Sequence, residues 1–295
     1  MKSRTILLAA AFICCGMLAQ AQIKPAFNPE KGEKYMYRQV ADMNQSFSGQ
    51  EMSNVVEILT EMNIKEKNNN EVTLDYTFKE IVATMSSLMM SFKVDTKNKA
   101  ANTSDIEKMI ATVYDCIIGK SLQLVVTPDG AIKSISGHDA IMEDVRKVVS
   151  SLSGMEQGMA NGMVSQTFSE DAIKNSFEQL FKIYPDKEVK VGDSWSKDYT
   201  FEITGMSNNF KNTYTLKSVS NDIALLDVAS VQTMKPGGGM EGEIKGEQKG
   251  QMRLNVKTGM IIQSSFEGSS KGNISGQGMD ISMDITSKTT NTLQQ

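Results

Sequence analysis

Few residues in this sequence could perform chemistry. His138 is its single histidine, and Cys116 is the one cysteine apart from the adjacent Cys14 and Cys15 near the start. Histidine is the usual general acid or base, and an activated nucleophile needs such a base within hydrogen-bond reach. No Ser-His-Asp order or spacing supports one here. His138 falls in Ser136-Gly137-His138-Asp139, just ahead of a helix pattern, which fits a capping or solvent-exposed position. One Cys and one His far apart do not supply the three or four ligands of a zinc site. Paired carboxylates could hydrolyse a glycoside, but Asp and Glu are spread over faces whose ordinary role is solubility. No catalytic residue, metal site or cofactor is expected.

The string Gly237-Gly238-Gly239-Met240-Glu241-Gly242 satisfies Gly-x-Gly-x-x-Gly. A dinucleotide fingerprint follows a strand and opens a helix whose N-terminus faces the pyrophosphate. Here a strand pattern continues instead, with Glu241 and Glu243 placed to repel phosphate, so the string reads as a hairpin loop. After it, Gly242, Ile244, Gly246, Gln248, Gly250, Met252, Leu254 and Val256 share one strand face, opposite Glu243, Lys245, Glu247, Lys249 and Arg253. Glycines inside a strand mark a bend, a bulge or a close backbone approach. Three of them on the inward face predict either sheet curvature under a covering helix or room for an apolar ligand. On the ligand reading, Gly242, Ile244, Gly246, Gln248 and Gly250 line the groove.

In Gly154-Met155-Glu156-Gln157-Gly158-Met159-Ala160-Asn161-Gly162-Met163, glycine and methionine each recur every four residues. A helix there would carry a methionine stripe able to re-mould to apolar partners. Each glycine disfavours it by roughly 1 kcal/mol against alanine, so the segment is expected to be a flexible linker. As a mobile lid it would bring Met155, Met159 and Met163 to the groove. Thioether copper binding lacks nearby His or Cys ligands. The 21 methionines of the chain give a core that adapts in shape and specifies packing weakly.

The elements that must position these residues are mostly strands. Val72, Leu74, Tyr76 and Phe78 alternate with polar neighbours, as do Val56, Ile58, Met62 and Ile64, and Met279, Ile281, Met283 and Ile285. Such alternation predicts antiparallel strands with one buried face. Pro128-Asp129-Gly130 and Lys257-Thr258-Gly259 are tight turns between apolar runs. Three helices are predicted. The first opens on the capping box Ser104-Asp105-Ile106-Glu107, the second spans about 139–152, and the third follows Ser169 and stops at Pro185. Trp195, Tyr199, Phe201 and Ile203 are expected to form a buried strand face beneath that third helix.

The N-terminus has the parts of a secretory signal: Lys2 and Arg4, the apolar run Ile6–Ile13, and Ala19-Gln20-Ala21 with small residues before Gln22. The run is shorter than the roughly 20 residues that cross a bilayer about 30 Å thick, and neither Cys14 nor Cys15 stands in a good lipobox. Cleavage would leave Cys116 alone, so no internal disulfide is expected, and it would make the chain more acidic than its full net charge of −4. An acidic chain argues against nucleic acid as a partner.

Gly32-Glu33-Lys34-Tyr35 and Gly192-Asp193-Ser194-Trp195 each open a run of strands, and Asn70-Glu71-Val72-Thr73-Leu74 has a counterpart in Asn221-Asp222-Ile223-Ala224-Leu225. With the two glycine turns, these matches suggest an internal duplication. The block Tyr184-Pro185-Asp186-Lys187-Glu188-Val189-Lys190-Val191-Gly192-Asp193-Ser194-Trp195 resembles one found in a family of uncharacterised exported bacterial proteins with a Val-x-Val-Gly-Asp-x-Trp-like motif. The element order looks like the half-barrels of periplasmic lipoprotein carriers, a likeness of fold and not of function.

The fold is therefore expected to be α+β: curved, half-barrel-like antiparallel sheets in two pseudo-repeated halves, with helices packed between. The expected segments are a signal at 1–21, a strand-rich half at 22–136, a helical Gly/Met-rich connector at 137–185 and a second strand-rich half at 186–295. The expected role is that of an exported, non-enzymatic envelope protein, an interaction or structural module. The alternative is a periplasmic carrier or binder of lipid or another apolar ligand, and the expected partner is accordingly an apolar small molecule, a lipid or an envelope protein. Export predicts that the protein recovered from its native envelope starts at Gln22 and carries no lipid. N-terminal sequencing that began at a diacylated Cys15 would overturn this.

Overall fold

The computed structural model describes residues 22–203, 206–237, 240–276 and 278–294; the expected signal segment lies outside them. Alternating sequence does become strand, and the strands are long. β1 (Lys34–Phe47), β2 (Gln50–Lys67), β3 (Val72–Ser87), β4 (Ser91–Asp95), β5 (Ser121–Val126) and β6 (Ile132–Ser136) come first in the chain. After the helical stretch come β7 (Ser194–Ile203), β8 (Met206–Ser220), β9 (Ile223–Pro236), β10 (Glu241–Asn255), β11 (Ile261–Gly276) and β12 (Met279–Gln294). All belong to one open antiparallel sheet, ordered β6-β5-β3-β2-β1-β12-β11-β10-β9-β8-β7, with β4 added to β3. The two runs of strands form a single sheet because β1 pairs with β12, Tyr37 lying opposite Leu293 and Phe47 opposite Met283.

The described residues include four helices: α1 (Asp105–Asp115), α2 (His138–Ser151), α3 (Gly154–Thr167) and α4 (Glu170–Phe181). The capping box of α1 is formed. Ser104 Oγ accepts from the Glu107 N–H while the Glu107 carboxylate accepts from the Ser104 N–H. Backbone donors at Ser104, Lys93 and Thr103 hold the Glu107 carboxyl down at about 2, and the Lys93 bond ties α1 to β4. Ser169 caps α4 by accepting from the Ala172 N–H.

α3 corrects the expectation of a flexible linker between α2 and the last helix. Intrinsic propensity is overridden because helix stability comes mainly from packing one face. Ala160 is buried at 1 % exposure, and Met159, Met163 and Val164 lie against the core. Gln157 also donates through Nε2 to the Val149 carbonyl at the end of α2. His138, expected at a cap or in solvent, is largely buried and donates from Nε2 to the Phe168 carbonyl at 2.8 Å, so it joins the start of α2 to the end of α3.

α4 packs against both β7 and β6, the two edges of the open sheet. Eleven strands laid flat at about 4.8 Å spacing would be roughly 50 Å wide, whereas a helix of 12 residues is about 18 Å long and 10–12 Å across. The sheet therefore curls around α4. Glycine allows this along the β10–β11 seam. On the inner face every facing pair from Gly242/Ile274 through Ile244/Gly272, Gly246/Ser270 and Gln248/Gly268 to Gly250/Phe266 contains one glycine. A Cβ would lie 2.2 Å from the Asn273 carbonyl oxygen at Gly242, 2.0 Å from Ser270 Oγ at Gly246, and 2.0 Å from the Ser265 carbonyl oxygen at Gly250. The glycines on β10 are thus filled by close cross-strand approach. They do not leave the free space that the groove reading required of them.

Opposite outcomes are predicted at the two sets of glycines. At Gly158 and Gly162 of α3 a methyl group would meet nothing within 4 Å, so Gly158→Ala and Gly162→Ala should each stabilise by roughly 1 kcal/mol. Gly272→Ala, whose Cβ would meet the Glu243 carbonyl oxygen at 2.1 Å, should destabilise by about 1–3 kcal/mol. Urea midpoints at unchanged slope would check all three.

Candidate functional site

Two adjoining hollows lie between α4 and the inner face of the curled sheet. The first, about 380 Å³, sits over β1, β2 and β3 and under α1 and α4. Strand alternation supplies its floor through Ile58, Met62, Tyr76, Phe78 and Ile81, and the helix stripe supplies its roof through Tyr114, Ile173 and Phe177. Its lining is mainly apolar, with Tyr76 and Phe177 in edge-to-face contact at 4.9 Å. Burial raises the Tyr37, Tyr76 and Tyr114 phenols above their ordinary range, so they are neutral. Tyr37 is occupied in donating to the Ile261 carbonyl.

The second hollow, about 340 Å³, lies over β8 to β12 on the other side of α4. The same inward parity of the strands carries amides and hydroxyls here: Asn212, Ser230, Gln248, Ser264, Thr289 and Asn291. Gln39, Ser176, Leu180 and Asn291 line both hollows and mark where they meet. Among the described residues, no Asp, Glu, Lys, Arg, His or Cys lines either one. The arrangement can enclose apolar surface and exchange hydrogen bonds.

The sequence-derived ligand set is only partly brought here. Gln248 lines the second hollow. Ile244 is fully buried and Gly246 is buried, but neither lines a hollow, and the same holds for Gly242 and Gly250. Met155 points away at 81 % exposure. Met159 and Met163 pack on the core, which places α3 within the helical layer. Cys116 is buried, its Sγ donates to the Thr112 carbonyl, and burial raises its thiol pKa, which leaves it a poor nucleophile. The Gly237–Gly242 string lies at the β9–β10 turn and leads into strand, with Gly238 and Gly239 outside the described residues.

The Trp195 face is fixed to the end of α4. Trp195 donates from Nε1 to the Ile183 carbonyl and stacks on Tyr214, while Tyr199 donates to the Lys182 carbonyl. Phe201 stacks on Phe210; the Ile203 side chain lies outside the described residues. What reading the sequence missed was the polar inner face of β8 to β12. The signal was present in residues of inward parity that are Ser, Gln, Asn or Thr where the alternation calls for apolar side chains. Gly268 and Gly272 on β11 were also missed. Their spacing repeats that of Gly242, Gly246 and Gly250, so the two series could have been read as facing each other.

Residues 69–261 match the model of a family described as a family of unknown function, DUF6263. No curated protein sequence matches the chain. Among solved structures, lipovitellin, reported for its lipid–protein interactions, shares 10% identity over 90% of this chain with a TM-score of 0.45, and this chain spans 25% of that one. The COG4313 outer membrane channel of Pseudomonas putida F1 shares 6% identity over 91% of this chain and 98% of its own, with a TM-score of 0.24. A Rhodopseudomonas blastica porin shares 8% over 87% and 99%, with a TM-score of 0.23.

Trp195→Ala should destabilise by about 2–4 kcal/mol, from lost packing and from a carbonyl left without its donor. Trp195→Phe should recover all but about 1 kcal/mol of that. Chemical denaturation of the two variants would check the difference.

Proposed function

This chain belongs to the DUF6263 family of unknown function, and we propose that it is a non-catalytic binder of an apolar ligand, held in the first hollow beneath α4. One observation carries the reading: a space of about 380 Å³ with a mainly apolar lining and no charged side chain, within the roughly 300–1,000 Å³ of ligand pockets. Each CH₂ taken from water there contributes about 0.8 kcal/mol, so on the order of ten would offset an association cost of about 4–15 kcal/mol.

In this reading the sheet is a half-barrel built of two repeated halves. Its order supports that: β6-β5-β3-β2-β1 and β11-β10-β9-β8-β7 flank β12. The Gly32 N–H donates to the Ile64 carbonyl and the Gly192 N–H to the Leu216 carbonyl. Register shifts follow at Ile64/Glu66 and at Leu216/Ser218. Each half then contributes one hollow. The reading also includes export, with the signal removed before Gln22, and a place in the periplasm or outer envelope. An interaction module is favoured instead by Leu88 and Met89, 91 % and 89 % exposed at the β3–β4 turn.

Fluorescence titration with N-phenyl-1-naphthylamine tests the binder reading. The expected result is saturable, blue-shifted emission from the wild type, with Ile58→Trp, which fills the floor of the hollow, reducing uptake at least tenfold while keeping a native circular dichroism spectrum. A wild type that takes up no probe would leave the interaction module as the better reading.

A further inference from the structure

We infer, resting on the apolar-ligand reading above, that the ligand is a single-chain amphiphile with an uncharged, hydroxyl-bearing headgroup, its chain in the first hollow and its headgroup in the second. The two spaces meet along shared Gln39, Ser176, Leu180 and Asn291, and only the first is mainly apolar. The second presents side-chain amides from Gln39, Asn212, Gln248 and Asn291, each both donor and acceptor. No sealed side-chain N or O lacks a hydrogen bond among the described residues. The amides of Gln248 and Asn291, half-buried and without a side-chain hydrogen bond among the described residues, therefore open onto the hollow, and Gln39 stands exposed at its rim. A purely hydrocarbon occupant would strip water from these groups and return nothing.

The absence of charge in the lining among the described residues sets the headgroup's class. A carboxylate or phosphate entering a space without a cation would lose its hydration uncompensated. Lys197 stands opposite Asn212 in the β7–β8 pairing, but its ammonium is already paired with Asp186 at 2.7 Å. A diol or polyol loses no charge solvation and can both donate to and accept from the amides. The second hollow is as large as a small headgroup needs, and Leu180 and Ser176 of α4 mark where chain and headgroup would meet.

The test uses the full-length protein, loaded with N-phenyl-1-naphthylamine and titrated at pH 8 with 1-monopalmitoylglycerol and, separately, with palmitate. Monopalmitoylglycerol is expected to displace the probe at a concentration at least tenfold lower than palmitate. Asn212→Leu and Gln248→Met, made singly so that one folding failure does not remove the test, should erase that preference while leaving probe affinity within about twofold. Equal displacement by the two lipids, or preference for palmitate, would overturn the headgroup inference and leave the apolar binder standing. So would a tenfold preference that survives both substitutions. A protein that binds neither probe nor lipid would overturn both together.

Discussion

α4 touches β6 and β7, strands that a flat sheet would hold about 50 Å apart, and the interior follows from that contact. For one short helix to reach both edges, the strands between must bend toward it. The inner face then has less room than the outer, and side chains on it converge. Where the bend is tightest, along β10 and β11, no pair of inner side chains fits, and the strands meet glycine against side chain at five successive levels. The curl in turn leaves space on either side of the helix, since a cylinder about 10 Å wide cannot fill the trough that twelve strands enclose.

Those two spaces lie on either side of α4 and differ in chemistry. In the first, Ile58, Tyr76, Phe78 and Ile81 face the helix; in the second, Asn212, Ser230, Gln248 and Ser264 do so beside Tyr214, Val228 and Phe266. The strand parity is the same in both, so only side-chain identity separates a mainly apolar pocket from one of mixed polar and apolar lining. Neither lining uses a charge, although acidic and basic residues are paired across much of the outer surface, as at Lys271–Asp284 and Lys288–Glu267. Such exposed pairs contribute little to stability. Their main effect is to keep the outer face of a large sheet wet.

Much of the fold was legible because local rules sufficed. Val72 to Phe78 alternates and is strand, Ser104 and Glu107 announce a helix start and make it, and Gly130 and Gly259 sit at the tips of the hairpins that their neighbours predict. Legibility failed where the deciding partner lies far along the chain. α3 has three glycines and no strong stripe, and it is helical because α1, α2 and α4 pack around it. The inner glycines of β10 were seen as unusual, yet their meaning depends on β11, which supplies Gly268 and Gly272 in the gaps. His138 could not be placed because its acceptor, Phe168, is thirty residues away. The hollows themselves are a property of the curled sheet and α4 together and of no single segment.

The seam between β1 and β12 sets a time order. Met36 pairs with Gln294, so closing that seam means ordering a loop of roughly 260 residues. The loop-closure term for this is about 5 kcal/mol, only about 3 kcal/mol more than for a ten-residue loop. At equilibrium the long seam is therefore a modest burden. Kinetically it comes late, because hairpins such as β2–β3 and β10–β11 can form at once while β1 must wait for the last strand of the chain. In that interval β1 and β12 both present long unpaired edges, each able to template pairing with another molecule. The interval between first hairpin and final seam is the period in which this chain is most exposed to aggregation.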